Sequence, residues 1–195
     1  MIKRLMQLSV LTLPLSLPCI ASAAELPPDA GAARTVAMFD IFCLSQLPDL
    51  EAIDRLAQAG EFEPVTGKEL EKYQPEVKAE ELKAWQYKDF EESFVLTTSR
   101  TLPDEQFKKD APDFSDSTNY ACSLVIPPQD AKDALLAEMG KVMEREADEN
   151  WDQAPFKAHS WSGKTDKLLV FVYYYAPLDG PKGGLLTANV SVKNE

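Results

Sequence analysis

Histidine and cysteine are scarce in this sequence, with one histidine, His159, and three cysteines in 195 residues. That scarcity limits the available chemistry. Common zinc sites draw three or four ligands from His, Cys and carboxylates, and two of the cysteines are expected to bond to each other. A Ser-His-Asp arrangement would have to use His159. No serine sits in a G-x-S-x-G elbow, and Ser160, beside His159 in a strand pattern, points to the opposite face. His159 therefore reads as a strand residue hydrogen-bonded to a neighbour. The C-x-x-C of a redox thiol pair is missing, as is a glycine-rich phosphate loop. PKGG, residues 181–184, precedes a strand and reads as a hairpin turn. Basic residues are also short, 20 against 32 acids, for a formal net charge of -12. Charge of that sign repels nucleic acid and anionic membrane surfaces, and favours cations or a basic protein partner. With so many acids, no particular pair of carboxylates stands out for glycoside chemistry. Asp110, Asp113 and Asp116 are spaced by three, but lack the EF-hand pattern and its bidentate Glu. The sequence therefore assigns no catalytic residue, metal or cofactor.

A long apolar run occurs only at the start. Lys3 and Arg4 precede the apolar residues 5–20, and Ala21-Ser22-Ala23-Ala24 follows with small side chains. This is the pattern of a secretory signal peptide, expected to be removed after residue 23 or 24. The run falls short of the roughly 20 residues that span a bilayer, and Pro14 and Pro18 interrupt it. Cys19 follows Pro18, with Ser16 three residues before it, so it lacks the surroundings of an acylated lipoprotein cysteine. Removal of residues 1–24 takes Lys3 and Arg4 away and brings the net charge to -14. Residues 25–34 read as a flexible mature terminus and 35–195 as one domain with a real core. The protein is expected in the periplasm, with no membrane contact after cleavage.

Cys43 and Cys122 survive that processing, and two cysteines in an oxidising compartment pair. Phe39, Phe42, Cys43 and Leu47 fall on one helical face by the i, i+3, i+4 rule. Tyr120, Cys122, Leu124 and Ile126 share one strand face by period two. Both thiols thus point to a core, and a bond between them would lay the helix on the sheet. A loop of about 80 residues closed in this way contributes at most roughly 4.5 kcal/mol.

Along the chain, helices are expected at 35–46 and from Pro48 to Gly60. A charged connection follows over 61–83, with short helical turns at 67–72 and 79–83. Strands are expected at 84–88, 93–101 and 118–126, and a polar loop, LPDEQFKKDAPDFSDS, separates the second from the third. A helix over 130–147 comes next, with Leu135, Met139, Val142 and Met143 on its buried face, then strands at 156–162, 166–176 and 184–192. The order ααβββαβββ predicts an α+β fold. Its sheet would be mostly antiparallel, about six strands with helices packed on one face. The strand at 166–176 is apolar on both faces and should be central.

Trp85, Trp151, Trp161 and Tyr173 to Tyr175 read first as core, with partner contact as the alternative where they are exposed. The acidic loop 104–116, the acidic helix end 144–152 and the hairpin 177–184 are the candidate partner surfaces. They offer Asp110, Asp113, Asp116, Trp151, Asp179 and Lys182 as partner-binding residues.

Four short features occur together. They are F-x-x-x-C-L at Phe39 to Leu44, a helix ending in Ala59-Gly60, Y-x-C-x-L at Tyr120 to Leu124, and Gly183-Gly184 before the last strand. In these the chain resembles small exported proteobacterial proteins with a single disulfide, some of which are immunity proteins against type VI secretion toxins. The resemblance implies a non-enzymatic periplasmic binding protein that neutralises a secreted toxin by occluding its active site. The partner would be a toxin with a basic cleft. An envelope structural or small-ligand-binding protein, and a carboxylate-dependent hydrolase, are the alternatives.

Overall fold

The computed structural model describes residues 30–89, 92–128, 131–179 and 183–194. The expected signal peptide, residues 1–24, and residues 25–29 lie outside the described residues. Helix α1, Ala30–Phe39, begins inside the stretch expected to be a flexible terminus. Its reason is visible in the register: Ala32, Val36, Phe39 and Cys43 form one continuous apolar stripe, each at most 1% exposed. The stripe runs on into a π-helical segment, Asp40–Leu44, closed by Ser45 N–H donating to Asp40 O at 2.9 Å. Helix α2 spans Leu50–Ala59, and the Asp49 carboxylate caps it by accepting from Ala52 N–H. That bond satisfies one of the orphan donors of the first turn.

The strands are β1 (Glu63–Pro64), β2 (Glu81–Asp89), β3 (Glu92–Thr101) and β4 (Ser117–Val125), then, after a helix, β5 (Glu149–Gln153), β6 (Phe156–Lys164), β7 (Leu168–Pro177) and β8 (Leu185–Lys193). They form one antiparallel sheet in the order β1-β2-β3-β4-β8-β7-β6-β5. The chain thus makes two four-strand meanders that meet at β4 and β8. Eight strands replace the expected six because β1 and β5 are added at the two outer edges. The turn expected at 79–83 is instead the approach to and start of β2. The helix expected over 130–147 is α5, Lys132–Val142. Residues 129 and 130 lie outside the described residues. Val142, expected on its buried face, is exposed.

Helices α1, α2 and α5 lie on one face of the sheet. Their buried residues share one cluster with Trp85, Leu96, Leu124, Leu186, Tyr174 and Trp161. Register makes that face continuous: Trp85, Leu96, Leu124, Leu186, Tyr174 and His159 are successive cross-strand partners. Complete burial of such side chains contributes about 1.5–3 kcal/mol each. In the charged connection α3 (Lys68–Glu71) forms within the turn expected at 67–72. On the opposite face of the sheet, part of the polar loop folds into α4 (Glu105–Asp110), which is capped by Asp104, accepting from Phe107 N–H. Phe107 then lines a cavity with Phe171, Tyr173 and Asn189 of that face.

The Cys43–Cys122 disulfide forms, with its Cα atoms 5.3 Å apart and 79 residues between them in sequence. It fixes the π segment over β4, one of the two central strands of the sheet. A second tie is polar. Lys83 Nζ on β2 donates to Asp54 of α2 at 2.8 Å, and this holds the Asp54 carboxyl below the usual carboxylate range.

Two outcomes follow from this packing. The double substitution Cys43→Ala, Cys122→Ala should keep the fold and lower the melting temperature by roughly 10 °C, read by calorimetry on the oxidised protein. Gly183 and Gly163 should respond very unequally to alanine. A Cβ on Gly183 would meet the backbone oxygen of Ile126 at 2.3 Å, while a Cβ on Gly163 meets nothing within 4 Å. Gly183→Ala should destabilise by about 1–3 kcal/mol and Gly163→Ala by a small fraction of that, both measured by urea denaturation.

Candidate functional site

The segment 144–152 was expected to be a solvated helix end. Only part of it is loose. Asp148 accepts from Arg145 Nη1 at 2.8 Å and from Ser162 N–H at 2.7 Å, and the indole of the fully buried Trp161 donates to Arg145 O at 3.2 Å. These bonds turn the chain back from α5 onto β6 and deliver it as β5, the last strand of the sheet. They also occupy the guanidinium of Arg145, the one basic residue of the segment. The other carboxylates, Glu144, Glu146, Glu149 and Asp152, remain exposed.

Every residue of β5 is exposed. At its middle Trp151 is 38% exposed, and Tyr173 of β7 meets its ring edge-on, with centroids 6.2 Å apart. Tyr173 is itself stacked between Phe171 and Tyr175 at 6.1 and 5.8 Å. Burial raises the phenols of Tyr173 and Tyr175 above their ordinary value, so both stay neutral. The result is an aromatic row on the helix-free face that ends in an accessible indole, with the exposed carboxylates Glu149 and Asp152 on the same strand. Among the described residues the outer edge of β5 has no neighbouring strand, which leaves its outward backbone groups open to pairing.

The remaining predicted partner residues are not brought to this edge. Asp110 accepts from Gln106 within α4, Asp113 pairs with Lys164 at 2.7 Å, and Asp116 accepts from Asn194 Nδ2 at 3.0 Å. These three lie at the end of the sheet where β7 starts. The Lys164 pair holds Asp113 below the usual carboxylate range. Beneath them the ring of buried Phe114 receives the ammonium of Lys193 at 4.9 Å. Asp179 is exposed just past the other end of β7, a strand of 10 residues, or about 30 Å away at the rise of an extended strand. Lys182 lies outside the described residues.

His159 sits on β6 facing the helix layer, and Ser160 faces the other way, as alternation required. The expected hydrogen bond to a neighbour is not formed among the described residues. His159 instead stacks on Tyr174 with centroids 6.2 Å apart, and its pKa is lowered by burial and then by Lys157. Among the described residues no three His, Cys, Asp or Glu side chains are grouped closely enough to hold a metal ion. No described helix is long and apolar enough to cross a membrane. Compared with protein-family models, curated proteins and solved structures, the chain matches none.

Trp151 is the exposed member of three tryptophans, since Trp85 and Trp161 are buried. Trp151→Phe should therefore remove most of the acrylamide-quenchable fluorescence and leave a blue-shifted emission. Undiminished quenching in that variant would contradict the placement of Trp151.

Proposed function

We propose that this protein is an exported, non-enzymatic binding protein of the periplasm. It neutralises a secreted toxin by covering the toxin's active site. The observation that carries this reading is Trp151, held upright by Tyr173 on an open edge strand that also carries the exposed carboxylates Glu149 and Asp152. An aromatic side chain already ordered in the free protein loses little freedom on binding, and such residues dominate interface energies. Carboxylates on that strand speed encounter with a basic cleft and disfavour acidic partners. They also oppose pairing of β5 with a second copy of itself, because like charges would face one another. The disulfide and the export signal support an oxidising compartment, and the net negative charge supports a basic partner.

The test is affinity capture by the tagged protein in its own host with secretion systems active, run beside Trp151→Ala and the double variant Glu149→Lys, Asp152→Lys. The reading expects a stoichiometric partner whose toxicity the purified protein suppresses. Trp151→Ala should weaken that complex about 30-fold or more, and charge reversal should slow its association. Identical captured proteins for all three baits, or a partner whose activity is untouched in the complex, would overturn it.

A further inference from the structure

A separate cleft lies on the helix side of the same sheet edge. Two cavities, about 730 Å³ and 270 Å³, open between α5 and β6 and meet at Asp133, Leu136, Lys157 and His159. The larger reaches Asn150 of β5 and has Trp161, Leu136 and Ala147 as apolar wall. Six polar side chains line the larger cavity without a hydrogen bond or ion pair among the described residues: Asp133, Glu144, Glu146, Asn150, Lys157 and His159. Next to them is a buried polar group in the same condition. The Tyr174 hydroxyl belongs to a side chain 1% exposed and has no hydrogen-bond partner among the described residues. Its ring stacks on His159, and its hydroxyl lies within electrostatic reach of Asp133. His159 and Asp133 are thus both at the junction of the two cavities.

An unpartnered hydroxyl in a packed core is a cost that folding alone does not explain. An apolar hollow with a few unpaired polar groups of both signs is the general form of a small-molecule site. The charges define the ligand. Lys157, with the neutral imidazole beside it, suits a carboxylate, and Asp133 suits an ammonium. Between them the wall of Leu136, Ala147 and Trp161 suits a hydrocarbon body. We infer that this cleft binds a small zwitterion with an apolar side chain, an amino acid or short peptide. The site is independent of the partner surface at Trp151.

His159 is the single histidine, so its ring protons give two assignable NMR signals at the cleft. L-leucine and L-alanyl-L-leucine, titrated into the oxidised protein, should move both signals saturably and raise the melting temperature. The uncharged N-acetyl-L-leucine amide should do neither. Lys157→Gln and Asp133→Asn should each weaken binding at least about tenfold with the fold intact. Tyr174→Phe gives a readout that a purely structural tyrosine would not. It removes the orphan hydroxyl, so the free protein should melt higher while the ligand-induced rise shrinks. The inference is overturned if neither zwitterion moves His159, if the uncharged amide binds as well, or if the Lys157 and Asp133 variants bind like the parent.

Discussion

The ladder between β4 and β8 is the contact on which the rest of the structure depends. Each meander is built from sequential neighbours, β1 to β4 and β5 to β8, and could close its own hairpins without the other. Only the nine paired positions from Ser117↔Lys193 to Val125↔Leu185 join them in the sheet. Helices α1 and α5, which precede the two meanders, pack against each other. A two-sheet alternative would leave edges at both β4 and β8 and split the helix layer. The disulfide acts at this place. Cys122 pairs across the seam with Ala188, whose methyl leaves room for the π segment that carries Cys43. The staple therefore stabilises the assembly of the two halves more than either half alone.

That seam also accounts for the asymmetry of the two faces. Helices cover the face bearing Leu96, Leu124, Leu186 and Tyr174, where apolar burial is nearly complete. The opposite face carries Thr97, Ser123 and Thr187 in one cross-strand row, with Ser123 Oγ donating to Thr187 Oγ1 at 2.7 Å. Small hydroxyl side chains that satisfy one another tolerate water. The aromatic row of β7 borders them, and Trp151 ends that row at the edge of the sheet.

The parts of this fold that were legible in sequence are those where one face is buried. Period-two alternation marked β4 and β8, β-branched residues marked β3, and a run apolar on both faces marked β7; both cysteine stripes pointed inward, so the disulfide followed. The start of α1 was hidden because ELPPDAGAAR is read as turn-rich, although Ala32 and Val36 continue the stripe of Phe39 and Cys43. β5 was hidden for a different reason. ENWDQ is exposed on both sides, so no period-two apolar signal exists, and its acids resemble a frayed helix end. The signals of α4 were present but short: Asp104 three residues before Phe107 is a capping arrangement. The cleft was not legible at all. Asp133, Asn150, Lys157 and Tyr174 belong to four elements, and only the register of β5, β6 and β7 and the seating of α5 bring them together.

The two candidate sites share a strand yet remain separable, and the reason is the pleat. Asn150 and Trp151 are consecutive in β5 and pair with His159 and Ala158 of β6. Consecutive strand side chains point to opposite faces. Asn150 therefore turns to the cleft with His159, while Trp151 turns to the helix-free face with the tyrosines. Truncating Trp151 leaves every wall of the cleft in place, and changing Lys157 or Asp133 leaves the aromatic row untouched. The backbone of β5 is common to both. A strand added along that edge would stiffen Asn150 as well as engage Trp151, so occupancy of one site can alter affinity at the other only through this strand and must do so equally in both directions.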